Sequence, residues 1–109
     1  MKFRMIAALL ALSGSAALAD DVKPTLKTTT LGCLAKDDMT RFVRILVDND
    51  QVAAKKLLVE LMLDGRCRLF DPGTEVNITD TAVFSGIIDV RPQGEVDSYW
   101  VDMGHVKMH

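Results

Sequence analysis

Two cysteines, Cys33 and Cys67, bracket the helix-like part of this chain, and the hydrophobic period changes at the second of them. Upstream of Cys67, apolar residues recur with the spacing of one helix face. From Cys67 onward they alternate, as in a half-buried strand. With only two cysteines a bridge inside the chain has a single possible connectivity. Whether the bridge forms depends on the compartment.

The N-terminus addresses the compartment. Lys2 and Arg4 precede an apolar run from Met5 to Leu12, and Ala17-Leu18-Ala19 closes the segment just before Asp20 and Asp21. A basic start, an apolar middle and an A-x-A end form the layout of a secretory signal peptide, here residues 1–19. The run is shorter than the roughly 20 residues of a membrane span. An amphipathic N-terminal helix of a cytosolic protein is the alternative. The signal is most easily read as bacterial, so a periplasmic location is expected, with secretion from the cell as the other outcome.

Exported thiols persist as disulfides, so a Cys33–Cys67 bond is expected. Closing a loop of 34 sequence steps is worth about 3.5 to 4 kcal/mol in the chain-entropy model. A turn is expected beside each cysteine: Gly32 precedes the first, and Asp64-Gly65 lies just before the second. On that reading the bond locks a helical unit against a sheet. Two rival roles are weaker. "TLGC" at 30–33 looks slightly like a lipoprotein cleavage box, but Asp20, Asp21, Lys23 and Lys27 separate it from the apolar run. A redox or metal role would favour a close C-x-x-C spacing, which is absent.

Cleavage after Ala19 would leave 90 residues with 11 basic and 15 acidic side chains, a formal charge of −4. That balance argues against nucleic acid as a partner. It also argues against electrostatic attachment to a membrane, and no membrane contact is expected after signal cleavage.

Residues 20–32, with a proline, charges and a threonine run, read as an extended lead-in with a short strand at Thr28–Leu31. Residues 33–109 read as one α+β domain, with helices over about 37–64 and strands over about 67–106. Met39, Phe42, Val43, Leu46 and Val47 define one face of a first helix, which Asp37 or Asp38 would cap. "DND" at 48–50 breaks it, and Asp50 can cap the next. In the second helix Ala54, Leu57, Leu58, Leu61 and Met62 form one stripe. Val52, Val59 and Leu63 form another on nearly the opposite side. A helix apolar on two sides is expected between two layers; the alternative is that one stripe meets another subunit, giving a homo-oligomer. Gly65 suits the end of that helix. Beyond it "DPG" at 71–73 and "RPQGE" at 91–95 read as turns between short strands of a small antiparallel sheet or barrel.

"GTEVNITD", "IIDVRPQGE" and "DSYWVDMGHV" follow one another in an order that resembles the strands of bacterial SH3-like barrels. The likeness covers roughly residues 67–106. The signal, helical pair and Cys-linked strands together also resemble small exported bacterial proteins. Tyr99 stands where many such barrels carry glycine before the tryptophan. The resemblance implies a helical hairpin packed on an SH3-like sheet or barrel. It also implies a binding module for a protein or cell-wall ligand.

Adjacent strand residues point to opposite faces, so with Tyr99 and Val101 inside, Trp100 turns outward. An exposed Trp100 near Arg91 would make a recognition patch; the alternative is that Trp100 covers a barrel edge or packs on a helix. At the C-terminus Met103, His105, Met108 and His109 offer thioether and imidazole donors of the kind that suit copper. His105 and His109 would align on a helix, though Gly104 and the chain end favour a frayed tail. No G-x-S-x-G, H-E-x-x-H or phosphate-loop motif is present. Ser85, Ser98 and His105 form a triad only on paper, so a non-enzymatic protein without a cofactor is expected. "NIT" at 77–79 matches a glycosylation sequon inside an expected strand, and "DNDQ" at 48–51 is too short for a calcium loop.

Overall fold

The computed structural model describes residues 22–109; the expected signal peptide lies outside the described residues. The elements run β1 (Thr25–Leu26), β2 (Thr30–Cys33), α1 (Lys36–Val47), α2 (Gln51–Leu63), β3 (Cys67–Phe70), β4 (Val76–Ala82), β5 (Ile87–Pro92), β6 (Tyr99–Asp102) and β7 (Val106–Lys107). Short 3₁₀ turns occupy Val83–Ser85 and Met103–His105. The architecture is α+β, with antiparallel sheets and one disulfide.

Local chemistry sets the helix ends. The cap expected from Asp37 or Asp38 is not used: Ala35 is the N-cap of α1, without a side-chain bond. Both aspartates lie in the first turn, where the helix dipole favours them, and Asp38 is turned toward Arg66 instead. At the other end Asn49 takes φ 61°. Its N–H donates to Leu46 O at 2.9 Å and that of Asp50 to Ile45 O at 3.3 Å, which satisfies two carbonyls left over by α1. Asp50 then caps α2, accepting from Ala53 N–H at 3.0 Å. α2 closes the same way. Gly65 has φ 72°; its N–H donates to Met62 O at 3.1 Å, and that of Arg66 to Leu61 O at 3.0 Å.

The main sheet has five antiparallel strands in the order β3-β2-β6-β5-β4, and β1 pairs with β7 in a separate ribbon. Alternation gives each strand two faces and the sheet two cores. On one side Leu31, Cys33, Cys67 and Ile87 share a buried cluster with Met39 of α1 and Leu57 and Leu61 of α2. On the other side Phe70, Val76, Ile88, Val90, Tyr99 and Val101 are joined by Leu26 of β1 and Val106 of β7. Among the described residues no barrel closes. The ribbon meets the main sheet's edge at the bridge Thr25 to Glu75, where the Leu26 N–H also donates to Thr74 O and the Val76 N–H to Pro24 O, each at 3.0 Å.

Three expectations need correction. The lead-in, from residue 22 to 32, is part of the fold: it supplies β1 and most of β2, and Leu26 and Thr30 are fully buried. The strand expected at Thr28–Leu31 runs instead from Thr30 to Cys33. The second stripe of α2 is not between layers: Val52, Val59 and Leu63 face outward.

The disulfide forms, but between neighbouring strands rather than between helix and sheet. Cys33 and Cys67 stand opposite each other in the β2–β3 register, with Cα atoms 4.0 Å apart. Both are buried. The bond closes the base of the loop that holds both helices. Gly32, expected in a turn, lies inside β2.

Candidate functional site

Trp100 and Arg91 lie on the same face of the sheet. Trp100 pairs with Asp89 across β5–β6 and with Cys33 across β2–β6, and Arg91 follows Asp89 by two positions. That face is the one the helices share. Trp100 is half-buried and packs against the disulfide cluster, with Lys36 Nζ 5.5 Å from its ring. The side chain thus turns away from Tyr99 as expected, yet packs rather than projecting as a free recognition aromatic. Arg91 donates to the backbone oxygen of Glu95 at 2.9 Å and braces the β5–β6 turn.

Between them sits a polar cluster. Asp89 is buried, and its Oδ2 accepts from Thr79 Oγ1 at 2.7 Å and from Ser98 Oγ at 2.8 Å. Its Oδ1 has no partner among the described residues. Two hydroxyls aimed at one buried carboxylate oxygen tie β4, β5 and the approach to β6 together. They leave Ser98 oriented by Asp89, not by a histidine. Ser85 lies in one 3₁₀ turn and His105 in the other; none of the three paper-triad residues bonds another among the described residues.

The C-terminal donors are similarly dispersed. Met103 packs against the core formed by Tyr99 and Val101. His105 Nε2 lies 4.0 Å from Asp102 Oδ2, His109 Nε2 lies 3.2 Å from Thr25 Oγ1, and Met108 is exposed. His105 and His109 do not share a helix, because strand β7 separates them. That strand's pairing with β1 also means the tail is not frayed. Among the described residues no cluster of three or more His, Cys, Asp or Glu side chains is placed to hold a metal ion.

A different surface stands out. The β4–β5 connection is the 3₁₀ turn Val83–Ser85, closed by Gly86 at φ 71°. It holds Phe84 fully exposed, with Val83 exposed beside it. A shallow groove runs between this turn and α1, lined by Thr40, Val43, Arg44, Val47, Phe84 and Ser85. Val47 and its neighbour Leu46 are exposed as well. Arg44 is the one cation in the lining. Such a surface can seat an apolar side chain and hold a carboxylate beside it. No family model, curated protein or solved structure matches this chain.

Sequence reasoning missed Phe84 because it was read as part of a strand-like region. The usable signal was local: "AVFSG" breaks the alternation of "VNITD" just before a glycine, which puts a large aromatic in a turn instead of a core position.

Two arginines organise the surfaces around the disulfide. Arg66 grips Asp38 with two prongs, Nη2 to Oδ1 at 2.6 Å and Nε to Oδ2 at 3.1 Å. That hydrogen bonding holds the Arg66 guanidinium above its ordinary pKa. Arg68 grips Glu95 at 2.8 and 3.0 Å and lies over the rings of Phe70 and Tyr99. Its pKa is raised as well, chiefly by Glu95. Both are engaged in joining strand β3 and its approach to distant parts of the chain.

Proposed function

We propose that this chain is an exported, non-enzymatic interaction module of the periplasm. Its core would be an SH3-like sheet carrying a helical hairpin, and its ligand a protein segment. The meander β4-β5-β6, with the β1–β7 ribbon laid across its end, supports the SH3-like reading. The disulfide supports an oxidising compartment.

The observation that carries the binding role is the fully exposed Phe84 beside a groove that Val47 and Arg44 also line. A bare aromatic held on a 3₁₀ turn costs hydration and contributes nothing to either core, whereas exposed aromatics and arginine are the residues that anchor interfaces. The aliphatic neighbours Val43 and Val47 favour an apolar protein segment as the occupant. Trp100 and Arg91, the first candidates, then serve the fold.

A photo-crosslinking residue placed at position 84, in cells, tests this. A single defined protein adduct is expected from position 84, and Val47→Asp should abolish it. An equal probe at Asp71, on a distant turn, should give none. The same adducts from both positions, or none from position 84, would overturn the reading.

A further inference from the structure

We infer that the outer face of α2 is a self-association surface, on which two copies of this chain pack helix against helix in antiparallel fashion. Helix geometry of 100° per residue puts Val52, Lys56, Val59 and Leu63 within a sector about 60° wide. The stripe formed by Ala54, Leu57 and Leu61 is buried on the other side. The exposures are high for such a face: Val52 69%, Val59 49% and Leu63 83%. Four positions along one side, spaced as a helix seam requires, are left without cover by the rest of the described chain.

Charge selects the occupant. Lys56 and Glu60 flank the same edge of this seam, and neither has an ion-pair partner among the described residues. A two-fold axis at the level of Leu58 reverses the second helix. It brings Lys56 of each copy opposite Glu60 of the other, so one operation makes two ion pairs. Val59 lies next to the axis and meets its own counterpart, while Val52 and Leu63 extend the apolar contact toward both ends. A parallel pair in register would instead set Lys56 against Lys56. The antiparallel dimer is therefore both apolar along its seam and complementary along its edge. One helix pair of this length buries less than the roughly 1,000 Å² of a firm interface, so the association is reversible. It leaves the groove beside Phe84 free, because that groove is built on α1 and the β4–β5 turn.

Sedimentation equilibrium of the full-length expressed chain, taken as the cell exports it and with its N-terminus read by mass, tests the inference. A concentration-dependent dimer is expected. Lys56→Glu and Glu60→Lys should each weaken it by about tenfold or more, through like charges across the seam. The double swap, Lys56→Glu with Glu60→Lys, should restore it to within about threefold, because the reversed pairs are again opposite in sign. Thermal melts run beside it establish which variants are folded at the temperature used, and only folded variants are compared. A monomer up to about 1 mM would overturn the proposal, whether the face stays bare or the N-terminal apolar segment covers it. A dimer indifferent to all three variants would place the interface elsewhere and overturn it equally.

Discussion

A β-carbon added at Gly32 would lie 2.6 Å from Cε2 of Phe70, 3.0 Å from Cβ of Tyr99 and 3.2 Å from Cγ1 of Val101. Glycine inside a strand often marks such a close approach. Here two of the three crowding atoms belong to an edge-to-face pair, Phe70 and Tyr99, with ring centroids 5.0 Å apart. Gly32→Ala should therefore cost about 1 to 3 kcal/mol by overpacking, read as a lower urea midpoint. Adding Phe70→Leu should return part of the loss, and a single variant as stable as the parent would refute the account. Nothing in the sequence marks this position as buried, because a glycine carries no hydropathy signal and its crowding comes from strands far along the chain. Tyr99 and Val101 were legible as core, since alternation alone assigns them one face. Trp100 was legible in direction but not in cover, because alternation does not say what lies over a face. The two engaged arginines act over all ordinary conditions. A raised folded-state pKa stabilises the fold fully below the unfolded value and loses that contribution only as pH climbs through the folded one. For guanidinium groups that window lies beyond the physiological range.

Among the elements, the loop closed by Cys33–Cys67 is the most self-contained. It holds α1, the Asn49 turn, α2 and the Gly65 turn, and its two ends are neighbouring strands. Replacing both cysteines by alanine should cost about 2 to 5 kcal/mol, measured by denaturant unfolding under otherwise identical conditions. An unchanged midpoint would mean that the paired strands alone define the loop base. The sequence showed these helices and their junctions well. Asp50 and Gly65 are strong punctuation, and their roles depend on neighbours within a few residues. The end of α1 through Asn49 follows the same local logic. What failed was the second face of α2. Two apolar stripes imply two covers, yet the covering partner is not written in the helix itself, and here the described chain provides only one. β1 and β2 were under-read for a related reason: their core residues Leu26, Leu31 and Cys33 are too few and too scattered among threonines to show a period.

At the scale of the whole molecule, one sheet separates two cores that draw on different parts of the chain. The helix-side core is built from residues near one another in sequence, apart from Ala82, Ile87 and Trp100. The opposite core needs both extremes of the described chain, since Leu26 and Val106 complete it. A chain lacking residues 22–29 should therefore lose more than a tail. Withdrawing Leu26 alone forfeits about 1.5 to 3 kcal/mol of burial, and β7 loses its partner. A lower, broader thermal transition with increased binding of a hydrophobic dye is expected, and a melt matching that of the full chain would contradict it. The α+β class and the disulfide were readable because they rest on period and on cysteine count. The placement of the proposed binding surface was not, because it arises where a turn and a helix end meet by folding. The β1–β7 ribbon has a mechanical side too. Its register sets Thr25 against Lys107 and Leu26 against Val106, so the segments before and after it leave side by side. Tension applied through them would open the rungs one after another, like a zipper, instead of loading them together in shear. A molecule joined this way yields to a small force when stretched between two anchors, and is better suited to hang from one.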